Sequence, residues 1–447
     1  MSANQRRAAR PSADRPGTGV GENRGPPPKK APGGTGRLLL VVHLNNMLHN
    51  LAMMMNQTAL PFLTKSLGVG NRIFGAFTTT TAIAQLIGSP LFGRFGDVYG
   101  GRLSLTVSFL AMTTVSLMLA ACGSIPVLFL TRLPLLFIHI VPSFQMVVSD
   151  VTDDESRAGA LGLLGLSMIS GIVLGALSGG MVTEKYSPST SFLVAALLSV
   201  LSTVAVWFSI PTQTKQKKKD DKPKPSKWIF AYYNCGISRN VPNFCSLAFF
   251  LFPEGGVFDV KELQRLLRVP GVAKLLGTKF LLLMSCMIIQ SILPVILTDI
   301  FQMGAQDTGI FFMASGIMGA VFQVAVVGPL STRFKDKSLI LLASFLIAVA
   351  GLLMAGATTV RHMYFGFAPH VFGNVMFDVV INSALSKAVP QEDTGAVMGF
   401  TGTVYHLSMV MSPLLSAIML ENLGFSSLGL TSSAINGLIL LSGSMLL

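Results

Sequence analysis

Three otherwise apolar stretches of the chain carry polar side chains suited to handling protons and cations. Near the start, His43, Asn46, Asn50 and Gln57 form one stripe at helical spacing, with Asn45, His49 and Asn56 beside it. Lipid would not tolerate this face, so it lines a cavity or another helix. Met53 to Met55 add adaptable apolar surface, and the histidines titrate near neutral pH. Further on, Arg132, His139 and Asp150 are separated by seven and eleven residues, close to whole helical turns, which predicts a shared face. His370, Asn374, Asp378 and Asn382 follow one another at steps of four. Asp378 is the one carboxylate well inside an apolar run of the second half. It reads as a proton carrier, as a counter-ion for a cationic substrate, or as a salt-bridged structural acid. Gln85, Gln145, Gln290 and Gln323 are further cavity candidates, and His406 reads as a core residue.

These side chains need helices that cross a membrane. The chain is 51% hydrophobic and only 12% charged, with a mean hydropathy of +0.62, and so much apolar surface is not hidden in one soluble core. Runs long enough to span hydrocarbon are predicted near 38–61, 73–92, 103–122, 126–149, 159–181, 190–210, 271–297, 308–331, 338–357, 362–386, 395–420 and 424–447. The expectation is an all-α membrane protein of twelve transmembrane helices in two six-helix halves, 37–211 and 270–447. A basic, Pro/Gly-rich segment 1–36 reads as a disordered cytosolic tail, and 212–269 as a cytosolic linker. That linker opens with a lysine-rich run, Thr212 to Lys227, solvated or touching anionic headgroups. It continues through 228–256, read as interfacial or as an insertion, and closes with an amphipathic helix carrying Val260, Leu263, Leu266 and Leu267. Basic residues favour the loops holding Arg94, Arg102, Arg157, Arg333, Lys335, Lys337 and Lys387 over those holding Lys65, Arg72, Lys185 and Arg361, which predicts cytosolic termini. The net charge of +13 gathers in tail, linker and loops rather than on one face, so nucleic acid is not expected as a partner. Cys122, Cys235, Cys245 and Cys286 have no paired spacing and read as buried side chains, with neither metal nor disulfide expected.

Gly93-Arg-Phe-Gly-Asp97-Val-Tyr-Gly100-Gly-Arg102 has a partial second copy at Gly328 to Lys337, where Thr332 stands in place of the acid. Glu155 to Gly162 is echoed by Glu392 to Gly399. Either these are ordinary charged turns, or they mark a parallel repeat around a central linker. The first turn resembles the helix 2–3 loop of the major facilitator superfamily. The resemblance implies that fold, with Gly93, Asp97, Gly100 and Arg102 as a conformational lock. Gly162, Gly171, Gly175, Gly179 and Gly180 resemble the antiporter signature of the drug/proton branch, with Ala176 where that branch has proline. The equivalent place in helix 11 is Ser412-Pro413. Simple close packing of small residues explains the same pattern. Leu128 to Arg132 matches the family's helix-4 arginine, tied to proton exchange in related antiporters. Thr131 to Pro134, Gln145 to Asp150, Ala160 to Gly180, Val257 to Lys261 and Leu266 to Pro270 resemble the organic-cation-transporter-like branch of the solute carriers.

That likeness implies a secondary active transporter, with no enzymatic activity and no cofactor, exchanging organic cations for protons by rocking of the halves around a mid-membrane cavity. It implies a multi-pass monomer in contact with lipid, in the plasma membrane (its apical face included) or an internal membrane. Two alternatives stay open. The lack of a helix-1 carboxylate and the altered helix-5 motif fit a facilitative small-molecule or lipid-type carrier without proton coupling. The basic linker fits a non-transporting membrane scaffold.

Overall fold

The computed structural model describes residues 33–152, 154–211, 260–390 and 393–446. The reading of residues 1–32, the lysine run, the 228–256 segment, Cys235 and Cys245 lies outside them. Every regular element among the described residues is helical. The long ones are α1 (Gly33–Ser66), α2 (Asn71–Ala120), α5 (Asp154–Lys185), α6 (Pro188–Ser209), α8 (Val272–Gln290), α9 (Ala305–Phe322), α10 (Asp336–Ala355), α11 (Val360–Lys387), α12 (Thr394–Leu423) and α13 (Phe425–Leu446). Among the short ones are α3 (Ile125–Leu130), α4 (Ile140–Val151) and α7 (Val260–Leu267). Among the described residues, eleven helical stretches are long and apolar enough to cross a membrane. The twelfth expected span is the part of α2 before Gly100, helical but diluted by Thr78 to Thr81 and Gln85.

α2 is two spans joined across one residue. Gly100, at φ 81° and ψ 168°, breaks the helix where the chain reverses, a conformation that glycine adopts without steric cost. In the repeat the reversal falls at Phe334 and Lys335, both in extended backbone with negative φ, so no glycine is required. Short turns make consecutive spans antiparallel. The molecule therefore has a proximal end, near Gly33 and Leu446, and a distal end, at the turns after Ser66, Ala120, Lys185, Ile300, Ala355 and Leu423.

α1, α2, α5 and α6 pack together in the first half, and α8, α10, α11, α12 and α13 in the second. The halves meet chiefly along α5 with α9 and along α2 with α12. At the distal end one apolar cluster joins them, including Leu63, Phe74 and Phe192 from the first half and Ile296, Phe311 and Ala417 from the second. Toward the proximal end the core divides. Leu105, Phe109 and Phe144 belong to a first-half cluster, and Leu282, Phe377 and Leu385 to a second-half one. The bundle is thus closed distally, and its two cores part proximally.

The fourth span corrects the expectation of one continuous helix. After α3 the chain makes a 3-10 turn over Leu133–Phe137 and leaves helical geometry at Ile138 and His139 before α4 begins. Pro134 and Pro142 lie on either side of this break, and proline withholds a helix-bonding N–H. Arg132, His139 and Asp150 therefore do not share one helical face. In α7, Leu266 is buried in the second-half core and Leu267 is exposed. Arg265 forms an ion pair with Asp393 beside the start of α12.

Candidate functional site

The most reactive grouping lies between α8, α11 and α12. Lys279, on α8, is only 4% exposed, and its Nζ donates to Asn382 Oδ1 at 2.7 Å. The Asn382 amide in turn donates to Asp378 Oδ1 at 3.1 Å. One helical turn separates Asp378 from Asn382, so α11 presents both to the same neighbour. Asp378 is itself exposed, and its charge acts on Lys279 and on Tyr405 of α12. The sequence reading placed Asp378 and Asn382 but missed Lys279. A lysine eight residues past the start of a predicted span is the signal that would have found it. Asn374 lies half-buried on the same helix. His370 is fully buried, stacked on Phe367 and 3.4 Å from the Gln290 amide.

His139 sits where the fourth span breaks, its ring 5.5 Å from that of Phe92 and its buried Nε2 without a partner among the described residues. His406 of α12 lies within electrostatic reach across the halves, its buried Nδ1 also without a partner among them. Its ring meets that of Tyr405 edge-on at 5.6 Å. Tyr405 and His406 thus connect the Asp378 side to the His139 side.

Arg132 is 7% exposed and held by neutral groups. Nε donates to Thr131 at 3.0 Å, Nη1 donates to Thr81 at 3.3 Å, and Cζ stands 4.2 Å above the Phe77 ring. Among the described residues no carboxylate forms an ion pair with it. Arg132 clamps the fourth span to α2.

The polar face of α1 serves packing at several positions. Asn46 donates to the Leu164 carbonyl and to Ser167, both at 2.8 Å on α5, and Asn50 donates back to Asn46. His49 meets Phe109 edge-on, and Asn56 donates to Ser116, so these two face the third span. His43 is half-buried, with no partner for either ring nitrogen among the described residues, and Gln85 is half-buried. Gln57 and Gln145 are exposed. Of the expected stripe, Asn46 and Asn50 meet α5, whereas His49 and Asn56, which lie beside it, meet the third span.

The glycines of α5 divide in the same way. A side chain at Gly171, Gly175 or Gly179 would collide with α1, at Met47, Leu51 and Met55 respectively. Gly180 instead faces Ala305 and Gly309 of α9, across the halves. A side chain at Gly162 would meet nothing within 4 Å among the described residues, a correction to its expected packing role. A side chain at Gly75 of α2 would collide with Ala417 and the Pro413 carbonyl of α12, the matching close approach on the other side. In the loop, the side chain of Asp97 lies outside the described set, as do the surroundings of Gly93. Arg102 stacks 4.4 Å over Trp207 of α6. Cys122 and Cys286 are buried and free.

Polar bridges cross between the halves at the distal end. Arg72 pairs with Glu421 at 2.8 Å and donates to Asn422, and Lys65 pairs with Asp299 at 3.4 Å. Glu184 accepts from the Ala305 N–H at 2.7 Å, where the first turn of α9 has no intrahelical partner. Beside the Lys65–Asp299 pair lies a cavity of about 160 Å³ lined by Thr64, Asn71, Phe74 and Gln302.

The family profile described as Major Facilitator Superfamily matches residues 42–262 and 275–447. The chain is 31% identical over 414 residues to solute carrier family 67 member A1 of Homo sapiens, covering 91% of this chain and 92% of the relative. It is 30% identical over 409 residues to solute carrier family 22 member 18 of Mus musculus, covering 90% and 94%. Its fold matches the crystal structure of the human organic anion transporter MFSD10 with a TM-score of 0.62 at 18% identity, over 92% of this chain and 99% of that one.

Proposed function

This chain belongs to the major facilitator superfamily and is a membrane transporter, and from that premise we propose that it exchanges organic cations for protons through Asp378. The observation that carries this reading is an exposed carboxylate well inside a span, fixed by Asn382 on one oxygen. One carboxylate takes a proton or pairs with an ammonium, and not both, which is the exclusivity that exchange requires. Tyr405, His406 and His139 extend the polar surface from the second half toward the first. The distal seal, with cores that part proximally, fits one state of a rocking cycle. Basic residues at the proximal turns support a cytosolic position for that end and both termini, in a plasma or internal membrane.

A second reading, facilitative transport without proton coupling, draws support from Arg132. Its partners are Thr81, Thr131 and Phe77 rather than an acid or histidine.

Uptake of ethidium into proteoliposomes, with and without an imposed pH gradient, separates the two. Gradient-driven uptake in the wild type that is lost in Asp378→Asn is expected. Equal, gradient-independent uptake in both proteins would sink exchange and leave the facilitative carrier.

A further inference from the structure

Lys279 has no role in the reading so far. A buried ammonium is costly unless compensated, yet Lys279 lies almost wholly inside the second half with one neutral acceptor, Asn382. Through that amide it is joined to Asp378 Oδ1, while the other Asp378 oxygen has no protein partner among the described residues. The charged and titratable groups facing Asp378 are Lys279 from α8 and Tyr405 from α12. The charges of α10 that are nearest in sequence, Asp336 and Lys337, sit at the proximal turn, with Asp336 paired to Lys387.

We propose that Lys279 is a positioning residue, a fixed counter-charge that acts through Asn382 on Asp378 and makes the site select monovalent cations. The proposal rests on Asp378 as the exchange site. With nothing bound, Asp378 and Lys279 cancel. A proton on the free oxygen and a monocation beside it each leave the pair with one net positive charge. The two loaded states therefore carry equal charge across the membrane, and exchange is one for one and electroneutral. A dication would leave the pair with two net positive charges, and like charges several ångströms apart repel strongly where water is excluded. The same repulsion keeps the monocation from binding too tightly to leave.

Ethidium and propidium test this directly, since the dyes share a ring system and carry one and two positive charges. In wild-type proteoliposomes, pH-driven ethidium uptake is expected to be unchanged by an imposed membrane potential, with propidium a poor competitor. Lys279→Gln should lower the half-saturating ethidium concentration about tenfold, slow maximal uptake, and improve propidium by a larger factor. Lys279→Arg should keep the wild-type ranking of the dyes. Should Lys279→Gln fail to fold, Asn382→Ser cuts the bridge instead and should shift both dyes in the same order by a smaller factor. An unchanged half-saturation, or an equal shift for both dyes, would overturn the role of Lys279, and potential-dependent uptake would overturn one-for-one exchange. If uptake by the wild type matches Asp378→Asn, the exchange site itself is wrong.

Discussion

Arg132 and Asn46 are polar residues deep in hydrocarbon-spanning segments, and both are satisfied by a neighbouring helix. Arg132 binds Thr81 and stacks on Phe77, and Asn46 binds the Leu164 carbonyl and Ser167. Removing such a group strands its buried partners, at about 1–3 kcal/mol per site. Asn46→Leu is therefore expected to lower the melting temperature of the detergent-solubilised protein by several degrees, whereas Gln57→Leu, at an exposed position, should hardly move it. Arg132→Lys should also destabilise, since an ammonium offers neither the planar fork nor the stacking surface. A fall in ethidium affinity in Arg132→Lys with unchanged melting would instead place Arg132 in the ligand site.

Among the elements, α5 shows how one run of small residues serves two interfaces. Gly171, Gly175 and Gly179 admit α1, and Gly180 admits α9 from the other half. Substituting Gly171 by valine should force α1 and α5 apart and abolish folding or cut melting sharply. Gly162→Ala meets no neighbour and should stabilise the helix by about 0.5–1 kcal/mol. Equal melting of the two variants would mean that α1 and α5 are not packed as described. The fourth span is the opposite case, an apolar run whose regular spacing conceals a break. The broken stretch sets Arg132 against α2 and His139 toward Phe92 and α12.

At the scale of the whole molecule, the halves are fastened at the distal end by Arg72–Glu421, Lys65–Asp299 and Glu184 with the start of α9. Exposed ion pairs contribute little to stability singly, so their use is to bias which side is closed. Opening distally must break all three contacts and separate Gly180 from Gly309. A short bifunctional thiol cross-linker between Arg72→Cys and Glu421→Cys, in a background without Cys235 and Cys245, is expected to arrest ethidium exchange. Cleaving the linker should restore it. Exchange that persists with the linker in place would show that these halves do not part distally during transport.

The sequence by itself determined the membrane class, most of the helical spans and the family, because hydrocarbon demands long apolar helices. It also marked Asp378 and Asn382, since a carboxylate inside a span is conspicuous however the helices are arranged. Only the tertiary structure decided which polar residues face a neighbour and which face open space. Helical spacing says that Asn46, Asn50 and Gln57 share a side of α1, but not that α5 covers two of them. Lys279 was legible as a charge, yet its link to Asp378 through Asn382 joins residues 103 positions apart. Such a contact exists only once α8 and α11 are packed, and no local pattern encodes it.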